Sequence, residues 1–321
     1  MTANLSPMVN THPEALGRAG RLFEIKNGSR SAVVTEEGAG LFRLNWDGTE
    51  LLNTPSDDGF GGNGGHGQIL VPWPGRIALG RYDFDGESYQ LPLDDHAHHA
   101  AIHGFGRWLT WAPAQHDAER VVLGARMLAR PGYPFCLDLE QSYTWLADRL
   151  EVELSVTNIG TQAAPFGYGC HPYFTVGTGT VDDGILQVPA EQYLGTDADL
   201  NPIGPPSPVQ GTAFDFREPR PVGPTHFDVT FAGLRRDQDG NVTVSFAAPD
   251  NSVEITCTYA PGVNYVQIYS GDTLPPAFRR QGLAIEPYTC APNAFNNGLG
   301  LLRVPPGGTA RVAWSLSAKT R

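Results

Sequence analysis

The sequence is short of positive charge. Its 321 residues hold 22 Lys and Arg against 34 Asp and Glu, for a formal net charge of −12. A nucleic-acid interface needs a basic footprint to neutralise phosphates, and no dense Lys/Arg run is present, so nucleic-acid partners are excluded. No apolar run approaches the roughly 20 residues of a membrane-spanning helix. Residues 1–20 lack the basic start followed by an apolar stretch that marks a secretory signal. The reading is therefore a cytoplasmic protein with no membrane partner. Cysteines number four, Cys136, Cys170, Cys257 and Cys290, and none form a Cys-x-x-Cys pair. In a cytosolic setting they read as free thiols in or near the core. There is no sustained 3.6-residue apolar period and no Gly-x-Ser-x-Gly elbow. No Lys-Ser/Thr follows the Gly-rich stretch 59–67, which argues against a phosphate cradle.

What the chain does contain is alternation. Hydrophobic residues make up 40% and charged residues 17%, a globular composition. Leu150, Val152, Leu154 and Val156 alternate with polar residues, as do Val242, Val244 and Phe246, then Val253, Ile255 and Cys257, then Ala310, Val312, Trp314 and Leu316. A period of two means strands with one buried and one wet face. Four dipeptides, Asn27-Gly28, Asp47-Gly48, Asp85-Gly86 and Asp239-Gly240, carry the tight-hairpin signature, because both central residues of a type I′ turn need positive φ. The Pro-rich stretches 201–208 and 218–224 read as rigid surface loops rather than linkers. These signals predict an all-β protein, a large antiparallel β-sandwich, with residues 1–321 as a single domain.

Four segments concentrate polar, aromatic and Gly/Pro residues: 71–77, 101–108, 169–174 and 285–296. Taken singly their members have plain structural readings. A lone His171 or His103 beside aromatics is usually a hydrogen-bonded structural residue, Glu286 suits a solvated strand end, and Arg76 suits a surface ion pair. Cys170 and His171 resemble a thiol–imidazole pair, but strand neighbours point to opposite faces. His96, His98, His99 and His103, with Asp94 and Asp95, invite a metal reading that matches no strong zinc spacing.

Taken together and in order, the segments resemble the aldose 1-epimerase (galactose mutarotase) family. The residues that carry this are Gly75-Arg76-Ile77, His103-Gly104, His171-Pro172-Tyr173-Phe174, and Glu286-Pro287 followed by Pro292-Asn293-Ala294-Phe295-Asn296. Asp228 in Phe227-Asp228-Val229 and Gln267 in Val266-Gln267-Ile268 resemble further pocket segments. Gly75 stands where the family often has Asn, and Phe105 where it often has a second Gly. Both departures bear on epimer preference rather than on acid–base chemistry.

The resemblance implies a supersandwich of antiparallel strands that interconverts sugar anomers without a cofactor. It implies Glu286 as base at the C1 hydroxyl and His171 as acid at the ring oxygen. It places His103 and Arg76 on ring hydroxyls and developing charge, and makes Asp228 and Gln267 sugar-binding residues. Trp73, Phe105, Trp108, Tyr173 or Tyr288 would cover the sugar's C–H face. The implied partner is a small free aldohexose, acted on by a monomer or homodimer. Two alternatives stand beside this. One is a hexose-6-phosphate or other acidic-sugar 1-epimerase, with a clamp drawn from Arg81, Arg107, Arg279 or Arg280. The other is a non-catalytic sugar-binding module.

Overall fold

The computed structural model describes residues 17–55 and 64–321. Most of the N-terminal stretch read against a signal peptide, and residues 59–63 of the Gly-rich stretch, lie outside the described residues.

The alternating segments all form strands. Leu150–Asn158 is buried at every second position, with Leu150, Val152, Leu154 and Val156 at 0% exposure. Each such side chain contributes roughly 1.5–3 kcal/mol by leaving water. This strand lies inside a nine-stranded antiparallel sheet, between Leu137–Trp145 and the central strand Thr309–Thr320. Val253–Tyr259 and Val242–Ala247 continue that sheet.

An eight-stranded sheet faces it. Its order begins Ser207–Pro208, Ala190–Tyr193, Asp228–Leu234, Tyr265–Tyr269 and Leu283–Tyr288, and ends in Gly169–Cys170 and Ile69–Leu70, with Tyr173–Phe174 paired off Leu283–Tyr288. One apolar cluster joins both sheets, with Val152, Ile255 and Val312 from the first and Phe231, Val266, Ile268 and Ile285 from the second. Trp314 Nε1 donates to Tyr168 Oη at 2.9 Å inside it. A smaller four-stranded sheet, Leu22–Glu50, is tied on by Trp145 Nε1 donating to the Ile25 carbonyl at 3.2 Å.

The all-β expectation holds: among the described residues the helices are one four-residue α-turn, Ala294–Asn297, and three short 3-10 turns. No helix among them is long and apolar enough to cross a membrane.

Two of the four turn dipeptides behave as expected. Asp47 and Gly48 have φ of 51° and 94°, and Asp85 and Gly86 have 53° and 86°, each pair joining adjacent strands. The other two differ. At the first hairpin Asn27 is the last strand residue, paired with Arg30, and the turn pair is Gly28-Ser29. Asp239-Gly240 joins Asp228–Leu234 to Val242–Ala247, which belong to different sheets, so it sits in a crossover rather than a hairpin. There the Asp237 carboxylate accepts from the backbone N–H groups of Asp239 and Asn241. The Pro-rich stretches are also more than loops. Ser207–Pro208 and Arg220–Pro221 are outermost strands of the two large sheets, where a proline's missing N–H forfeits no ladder bond.

Candidate active site

The eight-stranded sheet lays the site out in rows. Thr230, Gln267 and Glu286 are successive register partners on three adjacent strands, so they share one face. Asp228, Tyr269, Ala284 and Tyr173 form the next row. Ala284 is small enough for its aromatic neighbours Tyr173 and Tyr269 to meet edge to face over it, with ring centroids 6.2 Å apart. A cavity of about 380 Å³ opens over these rows, within the range of small-ligand sites. Its lining includes all six residues singled out from the sequence: Arg76, His103, His171, Asp228, Gln267 and Glu286.

At the floor, His171 Nε2 lies 3.4 Å from Glu286 Oε1, with the side chains 7% and 1% exposed. Tyr288 Oη donates to the other carboxylate oxygen, Oε2, at 2.8 Å. Tyr173 stacks on the His171 ring at 4.8 Å, and its hydroxyl donates to the Gly64 carbonyl. Burial raises Glu286 well above its ordinary value, opposed by the Tyr288 hydrogen bond. Burial, with His66 and Arg107 nearby, pushes His171 down to about 3. Enclosure disfavours the carboxylate of Glu286 and the imidazolium of His171 alike.

His103 is held by its own backbone and by Gly75. Its N–H donates to the Gly75 carbonyl at 2.9 Å, and the Gly75 N–H donates to His103 Nδ1 at 3.1 Å. Burial, then His171, lower its basicity well below the usual imidazole range. With Nδ1 accepting, the neutral ring carries its proton on Nε2.

Arg76 Nε donates to Asp95 Oδ2 at 2.8 Å, and its guanidinium lies 3.8 Å from Asp228. Burial would raise Asp95, but the hydrogen bonds from Arg76 and His98 override it and leave it below its ordinary value. Thr230 Oγ1 donates to Gln267 Oε1 at 2.5 Å. That fixes the amide, so Gln267 Nε2 donates to Asp228 Oδ1 at 2.7 Å. Burial raises Asp228, opposed chiefly by Arg76.

This cavity therefore offers an acid–base pair, a neutral imidazole donor, a guanidinium and a polar rim, an array suited to a polyhydroxylated ligand. A profile of the aldose 1-epimerase family matches residues 21–317. The chain belongs to the aldose 1-epimerase family. The Escherichia coli protein YihR, itself uncharacterized, is 34% identical over 302 residues, 93% of each chain. Human galactose mutarotase is 28% identical over 240 residues, covering 69% of this chain and 66% of its own. The solved structure of a Caenorhabditis elegans GalM/aldose epimerase homologue superposes with a TM-score of 0.83 at 20% identity, covering 94% of this chain and 99% of that one, which supports the fold.

As an aldose 1-epimerase family member, the protein is an isomerase acting on carbohydrates. The alternative chemistries read from its sequence find no support in the geometry. Cys170 is fully buried with its thiol directed at the Gly67 carbonyl, and its neighbour His171 alone lines the cavity. Among the described residues no group of three or more His, Cys, Asp or Glu is placed to hold a metal. His98 instead meets Asp95, and His99 meets Asp199. Of the five aromatics named as stacking candidates, Tyr173 and Tyr288 line the cavity. Trp73 and Phe105 pack on each other at 5.2 Å, and Trp108 lies half exposed against Arg107.

Three further lining residues were not read from the sequence as sugar-site residues: His98, which entered only the metal reading, and Thr230 and Tyr269. Thr230 and Tyr269 were findable, each standing two residues from a named site residue on a strand. The sequence does not point His98 toward this cavity, because its place follows from Asp95 bonding both His98 and Arg76. Of the four arginines read as a possible anion clamp, only Arg107 lines the cavity. Arg280 is bound to Asp182, Asp272 and the Gly223 carbonyl, and Arg81 to Gln90.

Proposed function

We propose that the protein is a mutarotase of a free aldohexose, with Glu286 and His171 as its acid–base pair. The observation that carries this is the 3.4 Å separation of His171 Nε2 and Glu286 Oε1 on the floor of a polar cavity. Anomer exchange must take a proton from the C1 hydroxyl and deliver one to the ring oxygen. As the proton leaves O1, its electron pair forms the C1=O1 bond and the C1–O5 bond breaks onto the protonated ring oxygen. Rotation about C1–C2 and reclosure, with both transfers reversed, gives the other anomer. Glu286 takes the first proton and His171 supplies the second. One proton shared by the pair is sufficient for this exchange, because one enters as the other leaves. A sugar hydroxyl at Oε1 favours the carboxylate–imidazolium arrangement by hydrogen-bonding to the charged form.

In this reading His103 Nε2–H and Arg76 stabilise charge on oxygen, while Asp228 and Gln267 take sugar hydroxyls. His103→Ala is expected to lower kcat/KM roughly 10- to 100-fold, the value of one directed hydrogen bond to a charged group, while leaving measurable turnover. Loss as deep as that of Glu286→Gln would make His103 a proton-transfer group. The balance above needs no metal, so dialysis against a strong chelator is expected to leave the rate unchanged. A loss restored by zinc would bring the His96–His99 segment back as a site.

The test of function is polarimetry on freshly dissolved α-glucose and α-galactose, with and without protein. No acceleration would leave a sugar-binding module as the reading. Arg107 favours a second substrate class, a sugar with a phosphate or sulfonate at C6. Its Nε is buried without a partner, although its NH2 group already donates to Asp94 at 2.6 Å. The net charge of −12 opposes an anionic substrate. The same assay with the 6-phosphate and 6-sulfonate of glucose, in wild type and Arg107→Ala, decides between the classes. We also read the chain as one catalytic unit, since one core cluster joins both large sheets, and as a protein of the cytoplasm.

A further inference from the structure

Tyr288 stands two residues beyond Glu286 on the strand Leu283–Tyr288, so both project from the same face. Its ring has a prepared seat. Gly169 is its register partner on the adjacent strand, and a Cβ there would fall 2.8 Å from the tyrosine Cδ1 and Cε1. The missing side chain lets the ring lie against that strand. Its hydroxyl then reaches Glu286 Oε2 at 2.8 Å, with both residues 1% exposed. We infer that Tyr288 is a positioning residue: it holds Glu286 Oε2 and leaves Oε1, the oxygen facing His171, as the atom that exchanges protons with the sugar. This rests on the acid–base reading of Glu286 proposed above.

A carboxylate with one oxygen engaged cannot rotate freely, so the geometry of Oε1 is set before the sugar arrives. The hydrogen bond also favours the ionised form, the form a base must have. The other groups facing Glu286 act as follows. Asp228, from the neighbouring strand row, disfavours the carboxylate, and Arg76 favours it. His171 faces Oε1 at 3.4 Å. Gln267 is the uncharged register partner, and Cys170, Tyr173 and Tyr259 lie within electrostatic reach as neutral, buried groups. Tyr288 is therefore the hydrogen-bond donor that offsets burial at this carboxylate.

The variant Tyr288→Phe keeps the ring and removes the donor. Its mutarotation is to be followed by polarimetry from pH 5 to 9 beside wild type and Glu286→Gln, with circular dichroism on each. At neutral pH, kcat is expected to fall roughly 10-fold with KM within about twofold, the size of one hydrogen bond to a charged group. The acid limb of the rate profile is expected to move up by about one pH unit. A loss with the acid limb unmoved, or carried by KM, overturns the inference and makes Tyr288 a structural or sugar-stacking residue. If Tyr288→Phe loses its native spectrum, fluorotyrosine placed at position 288 serves instead. Its more acidic phenol is a stronger donor, so the limb is expected to move down, and an unmoved limb overturns the inference. An inactive Glu286→Gln with an unshifted Tyr288→Phe overturns this inference alone. An active Glu286→Gln overturns the acid–base reading as well.

Discussion

Glu286→Gln is expected to cut mutarotation about 10²-fold or more, and His171→Asn to do the same, with native-like circular dichroism in both. Gln keeps the size and shape of Glu286, Asn keeps the near, polar part of the His171 side chain, and neither can carry the exchanged proton. Turnover above about half of wild type in either variant would remove that residue from the mechanism.

The same two variants are expected to differ in stability, with opposite pH dependence. Glu286 is raised above its unfolded value, so its contribution is fully present below about 4.5 and is lost as pH rises through the higher folded value. Glu286→Gln removes that loss, so at pH 7–8 it is expected to melt no lower than wild type. His171 is lowered to about 3 in the fold, so its contribution is present above about 6.5 and is lost as pH falls toward 3. The relative gain of His171→Asn is therefore expected on the acid side. Melting curves at pH 5 and pH 8 check both. A Glu286→Gln variant that is several degrees less stable at pH 8 would mean that the carboxylate is held by stabilising contacts rather than strained by burial.

Gly104→Ala is expected to destabilise the fold by about 2–4 kcal/mol and to lower activity in the molecules that still fold. Gly104 has a φ of 65°, and a Cβ there would lie 2.1 Å from the Val71 carbonyl oxygen and 2.4 Å from its carbon. Backbone cannot swing aside as a flexible side chain can, so overpacking adds to the positive-φ penalty. The same Val71 oxygen accepts from the N–H groups of Phe105 and Gly106 at 2.8 and 2.9 Å. Pushing it away loosens the turn that presents His103, itself at a φ of 60°. The denaturant midpoint and kcat/KM measured on one preparation check this. A midpoint within error of wild type would show that the two segments can separate without cost.

The candidate residues that line the cavity were legible because most sit in local motifs. Glu286-Pro287, His171-Pro172-Tyr173-Phe174 and His103-Gly104 can be read without knowing what faces them. Their protonation could not be read that way. A sequence shows Glu and His, but only enclosure by the two sheet rows and the His103 turn raises one and lowers the other. Arg107 shows the same limit. It was one of four arginines near the motifs, and the tertiary contacts of Arg81 and Arg280 removed two as candidates.

By itself, the alternation of residues such as Leu150 to Val156 determined that the chain would form strands and which face each would bury, because side chains alternate with a period of two. Asp47-Gly48 and Asp85-Gly86 determined two hairpins, because positive φ at both positions is a local demand. What only the tertiary structure decided was which sheet each strand joined. Asp239-Gly240 has the same local preference, yet it crosses between sheets, because pairing partners are chosen by burial across distant segments. The row Thr230, Gln267 and Glu286 comes from three strands brought into register by that burial. No local rule links these positions, so the hydrogen bonds from Thr230 to Gln267 to Asp228 exist only once the sheet has closed.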